Sequence, residues 1–203
     1  MLTSQWETGQ WFVDQAGHRW FFDSGALSLD LGYTGPFDTG VEAWERLHAA
    51  DDLAGWLTAR FGTEFEVTKI DHDQALRLRS AIVRAARAAV AARAIPAADV
   101  DLINTVAAGP DLAPQLPGGI DAPPSAAPGR ALATIARDAV AVFSAGPERI
   151  RTCGADDCGL IFFDGSRPNS RRWCSMRRCG NRAKVRNHRR VVRTELPQEA
   201  TEF

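Results

Sequence analysis

The segments CGADDC, residues 153–158, and CSMRRC, residues 174–179, hold all four cysteines of this 203-residue chain. Their spacing is C-x4-C, then fifteen residues, then C-x4-C. In a secreted chain such pairs would suggest two disulfides. Here the N-terminus carries neither the basic start nor the apolar stretch of an export signal, and where thiols stay reduced paired cysteines more often bind metal. Zinc takes four thiolates in a tetrahedron at about 2.3 Å each, and tight turns present them in pairs. Cys153, Cys158, Cys174 and Cys179 are therefore predicted to hold one structural Zn²⁺. Four protein ligands leave no open position for water, so the metal is architecture and not a catalyst. So small a segment buries little core, and metal binding worth about 10–16 kcal/mol would be what folds it. Gly154, Gly159 and Gly180 are expected to take positive φ and turn their amides toward the sulfurs.

Working outward, residues 149–151 and 160–163 read as the arms of a hairpin with the first cysteine pair at its tip, and a helix is expected from about Cys179 to Thr194. On that helix Arg182, Arg186, Arg189, Arg190 and Arg193 fall at i, i+4, i+7, i+8 and i+11, one face. Arg171, Arg172 and Lys184 extend the patch. Residues 165–193 carry 11 basic and no acidic side chains, whereas residues 1–164 carry 13 basic and 22 acidic ones. The net charge of -1 thus hides a block suited to a polyanion. Guanidinium forks match phosphate, and a helix fits the DNA major groove. Arg182 suits either a phosphate contact or neutralisation of the zinc-thiolate charge. Trp173 suits packing on the knuckle or stacking on a base, and Asn181 either a base edge or bracing of the turn after Cys179.

Upstream, WFV (11–13) and WFF (20–22) around a polar, glycine-containing break predict a β-hairpin, with His18 in its turn. Residues 26–34 alternate Leu27, Leu29 and Leu31 with Ser28 and Asp30, the pattern of a strand with one buried face; Asp30 would orient a ligand or cap a turn. Residues 51–57 read as a short helix, with His48 on a polar helical face. A long helix is expected from about Asp73 to Ala94, capped by Asp71, with His72 solvated and an inward stripe of Leu76, Arg79, Val83, Ala86 and Val90. Asp99 would cap a shorter helix through Val106. Six prolines and three glycines in residues 110–129 predict an irregular segment. A last helix runs from about Arg130 to Ser144, with Leu132, Ile135, Ala139 and Val142 inward.

The fold expected is α+β: a mainly helical N-terminal domain with a small β-sheet, residues 1–146, then a zinc-bound hairpin-helix module of treble-clef type, residues 147–194, then an acidic tail, 195–203. No apolar run approaches the roughly 20 residues that span a bilayer, which points to a cytoplasmic protein. All four cysteines go to zinc and no histidine stands beside a nucleophile, so the chain does not read as an enzyme. The classes left are DNA binding, RNA binding, and a protein-interaction module whose arginine face docks an acidic partner.

Residues 171–175 (RRWCS) and 179–184 (CGNRAK), with FFDGS at 162–166, resemble the CGNR zinc finger. Residues 25–31 (GALSLDL) and 52–57 (DLAGWL) resemble the ABATE domain that usually precedes it. Many ABATE sequences read Leu-Asp-Phe-Val-Asn-Thr where this chain has residues 29–34, LDLGYT, so Tyr33 replaces the asparagine. The resemblance implies a stress-responsive transcription regulator with zinc on the four cysteines and the finger on DNA. It leaves room for a small-molecule effector at the N-terminal domain and for a homodimer.

Overall fold

The computed structural model describes residues 7–14, 17–37, 44–114 and 125–186. The expected hairpin is present: β1 (Gln10–Val13) pairs antiparallel with β2 (Arg19–Phe22), Trp11 opposite Phe21. Period-2 alternation sends Phe12 and Phe22 into the core and leaves Trp11, Val13 and Phe21 outside.

The expected strand over 26–34 is instead a six-residue helix, α1 (Leu27–Gly32), buried on every side. The alternation of apolar and polar residues does not mark a wet face here: the Asp30 carboxylate is satisfied inside, and Ser28 is buried with its amide on Asp138 at 2.7 Å and its hydroxyl without a partner among the described residues. Asp30 accepts from the Gly9 amide at 2.6 Å and the Ser24 hydroxyl at 2.7 Å, and faces Arg60 at 3.2 Å. With the Asp30 carboxylate partnered, a helix that is wet on no side is stable at the centre of a core.

Against α1 pack α3 (Lys69–Val90) and α5 (Pro128–Ser144), and on these two pack α2 (Ala50–Phe61) and α4 (Ala97–Ala107). α3 begins earlier than expected: Thr68 is the cap, its hydroxyl accepting from the Asp71 amide while the Asp71 carboxylate accepts from the Thr68 amide. Asp71 therefore sits one turn inside. His72 is buried, its Nε2 2.9 Å from the Leu47 carbonyl oxygen, and His48 lies ahead of α2 with its amide on Asp52. The buried stripe of α3 is centred on Ala75, Leu78, Ile82 and Ala85, rotated from the expected one, of which Ala86 is buried and Leu76, Val83 and Val90 are partly buried at its border. Alanines on this face let α4 and α5 approach closely. Arg79 points away and forks onto Glu45 at 2.7 and 2.8 Å. Asp99 does not cap α4, whose cap is Pro96; it takes the Arg84 guanidinium. On α5, Leu132, Ile135, Ala139 and Val142 are buried as expected.

After a single 3₁₀ turn, β3 (Ile150–Thr152) and β4 (Ile161–Phe163) form the second hairpin. This hairpin is seated on the helical part, and the buried apolar residues of both form one continuous core. Three contacts set the join. The Tyr33 hydroxyl donates to the Ile161 carbonyl at 3.0 Å and accepts from the Ile161 amide at 2.7 Å, acting as a one-residue strand. The Phe163 amide donates to the Ser24 carbonyl at 2.8 Å. Gly25, at φ +79, lies so close that a Cβ there would stand 2.3 Å from the Phe163 oxygen.

Candidate metal centre and its basic rim

Cys153 follows β3 directly, its amide bonded to the Leu160 carbonyl at 2.8 Å, and the chain turns through residues 154–157 to Cys158. From β4 it loops back through Asp164, whose buried carboxylate accepts from the Ser166 and Arg171 amides at 3.0 and 2.7 Å. Those bonds outweigh burial and hold the Asp164 carboxyl below its ordinary range. Three arginines brace the same loop by donating to backbone oxygens: Arg149 to Asp164 and Ser166, Arg151 to Asn169, and Arg171 to Cys174 and, across the join, Asp23. Cys174 leads into a single π turn, Met176–Gly180, capped by the Ser175 hydroxyl. Residues 181–186 continue it as α-helix.

This path brings the four sulfurs within 4.8 Å of one another, with Cys174 Sγ 3.7 Å from Cys158 Sγ and 3.4 Å from Cys179 Sγ. A disulfide needs about 2.05 Å, and all four cysteines are free. A tetrahedron of sulfurs with metal bonds of about 2.3 Å has edges of about 3.8 Å, so the donor set fits one structural zinc. Cys158, accepting from Cys174, is drawn down to about 5, while the hydrogen bond Cys174 makes and its burial push that thiol up. A dication binding here displaces those protons. The Cys174 amide points at Cys153 Sγ at 3.4 Å, and Arg182 Nη2 at Cys179 Sγ at 3.2 Å.

The glycines beside the ligands act differently from expectation. None of Gly154, Gly159 and Gly180 has positive φ. A Cβ at Gly154 would stand 3.3 Å from the Arg172 carbonyl oxygen and one at Gly180 2.9 Å from Met176 Sδ, with the Trp173 indole next at 3.4 and 3.3 Å; Trp173 is thus a knuckle-packing residue.

The sequence profile of the CGNR zinc finger matches residues 149–190, the span that builds this centre. That of ABATE, described as "Putative stress-induced transcription regulator", matches residues 25–146, more than half of the chain. The chain belongs to the ABATE family. No curated protein matches it. Within this ABATE protein the zinc finger is the four-cysteine centre and its helix, and no helix among the described residues is long and apolar enough to cross a membrane.

Of the basic residues singled out in the sequence, Arg172, Arg182, Lys184 and Arg186 are exposed around the zinc turn. Arg171 is mostly withdrawn, stacked 4.2 Å over Phe162 with its donors on carbonyls. Asn181 is exposed and its side chain bonds to no described residue, so it does not brace the turn. Arg189, Arg190 and Arg193, with His188, lie outside the described residues. Sequence reading missed the partners of Arg182 and Arg186. Asp157 lies 3.0 Å from Arg182, and Asp156 lies 2.9 Å from Arg186. Both acids sit between the first two cysteines, some 25–30 residues away, a separation with no sequence signal.

Proposed function

We propose that this ABATE protein is a zinc-dependent, cytoplasmic DNA-binding transcription regulator. The helix after Cys179 is its reading element, and residues 1–146 its sensor or dimerisation part, with room for a small-molecule effector. Residues 147–194 are the DNA-binding unit and 195–203 an acidic tail. The observation that carries the reading is the set of exposed cationic side chains Arg172, Arg182, Lys184 and Arg186 around the zinc turn, at the head of a segment with no acid between residues 165 and 193. Arg189, Arg190 and Arg193 extend that set in the proposal; Arg171 serves it by anchoring the ridge beneath.

Phosphate contact predicts a salt signature. With about five phosphates engaged, the log affinity for a mixed-sequence duplex falls with log salt at a slope of about -4 to -5. Arg182→Ala, Arg186→Ala and Arg190→Ala together abolish most of that binding. Salt-insensitive binding, or a triple variant equal to wild type, would refute the reading. The pairing of Arg182 and Arg186 with Asp156 and Asp157 favours one alternative, an arginine face that docks acidic protein; that reading predicts no duplex binding at any salt. A single-stranded RNA that outcompetes the duplex would instead favour RNA.

A further inference from the structure

The outer face of the β1–β2 hairpin is apolar where a solvent face is ordinarily polar. Trp11 and Phe21, paired edge to face at 5.5 Å, are 55% and 43% exposed. Beside them Arg19 stands 5.3 Å over Trp11, while Arg178, from the zinc turn, stacks 4.0 Å over Trp20 on the other face of the hairpin, where Trp20 meets Phe12. Asp23, close by, accepts from Thr8 and the Gly25 amide.

Phe21 also floors a cleft whose other wall is the zinc knuckle, with Arg172, Trp173, Ser175 and Met176. Arg172 and Trp173 also line a second groove, shared with Lys184 and Arg186 of the helix and with Asp156, the partner of Arg186. One ridge therefore separates the cationic helix face from the aromatic cleft, and a chain crossing Arg172 passes from one into the other. A polyanion bearing flat apolar groups fits both halves. A second copy docked through this same face does not, because it would set arginine against arginine around only two rings.

We infer that this cleft and the hairpin face beside it take unpaired DNA nucleotides continuous with the duplex on the helix face, their bases stacked on Phe21 and Trp11 and their phosphates on Arg172 and Arg19. The inference rests on the DNA-binding reading and adds single-strand junctions as its target. Rings that offer a face to any base give affinity without sequence preference.

The experiment compares zinc-loaded full-length protein with its Trp11→Ala/Phe21→Ala variant on a blunt duplex and on the same duplex with a six-nucleotide DNA overhang. Both side chains lie outside the core, and circular dichroism and zinc content check that the variant folds. Wild type is expected to bind the overhang duplex about 5- to 100-fold more tightly, and the variant to lose that preference while keeping its blunt-duplex affinity. Equal wild-type affinity for both duplexes, or a preference the variant retains, overturns the inference and leaves the DNA reading intact. A ribonucleotide overhang bound more tightly than the DNA one overturns the assignment to DNA. Binding to neither duplex overturns both.

Discussion

Asp30 and Tyr33 lie three residues apart in sequence and carry opposite chemistries into the same core. Burial pushes the Asp30 carboxyl up to about 6, although Arg60, the Ser24 hydroxyl and the Gly9 amide all pull it down. A carboxyl held higher in the folded than in the unfolded chain favours folding most when protonated. Its contribution is full below about pH 4, falls as pH rises through 6 and is constant above. Between pH 4.5 and 7 the wild type is expected to lose about 2 kcal/mol relative to Asp30→Asn, read from urea midpoints of both proteins. A gap that does not change with pH would mean the three donors keep the carboxylate ionised throughout. Tyr33 does not titrate in this range, since burial raises its phenol further from neutrality. It occupies the position where many ABATE sequences have asparagine, and its single hydroxyl satisfies both the amide and the carbonyl of Ile161.

At the level of elements, the knuckle turn and the helix after Cys179 are coupled by charge. Arg182 reaches back to Cys179 Sγ and Asp157, and Arg186 reaches Asp156 and Asp157. Exposed pairs of this kind are worth little in stability, so their weight falls on binding. On the DNA-binding reading proposed above, each carboxylate competes with a phosphate for its guanidinium and repels the DNA backbone. Asp156→Asn/Asp157→Asn is expected to raise duplex affinity at low salt by about 3- to 30-fold, with melting temperature nearly unchanged, measured by anisotropy titration. Weaker binding by the variant would mean that the acids orient the arginines and do not oppose DNA.

Across the whole molecule, the zinc finger and the helical part share a core, and the metal's influence reaches past its four ligands. Phe162 and Ile150 are buried against the same cluster as Leu78 and Leu132. Tyr33, Ser24, Asp23 and Gly25 tie the hairpin down. Removing zinc with a strong chelator is therefore expected to lower the melting temperature of the entire protein by about 10 °C or more, in one transition followed by both tryptophan fluorescence and helical circular dichroism. Two transitions, with the helical one unmoved by chelation, would show the parts to fold independently.

Much of this was legible in the chain. The metal ligands, both hairpins, the α2 and α5 helices and the basic block follow from cysteine spacing, period-2 aromatics, 3.6-period alanine and leucine stripes and local charge, all of which are short-range. What sequence could not give was every case in which a polar residue was satisfied from far away. Leu27–Leu31 alternates as a strand would, yet becomes a buried helix because Asp30 finds Gly9 and Arg60. His72 turns inward because Leu47 offers a carbonyl, and the arginines of the finger divide into braces and an exposed face according to which backbone oxygens the loop at 164–174 presents. Local pattern reports the polarity of a side chain. Whether that polarity meets water or a partner is decided only when the folded chain brings the partner within about 3 Å.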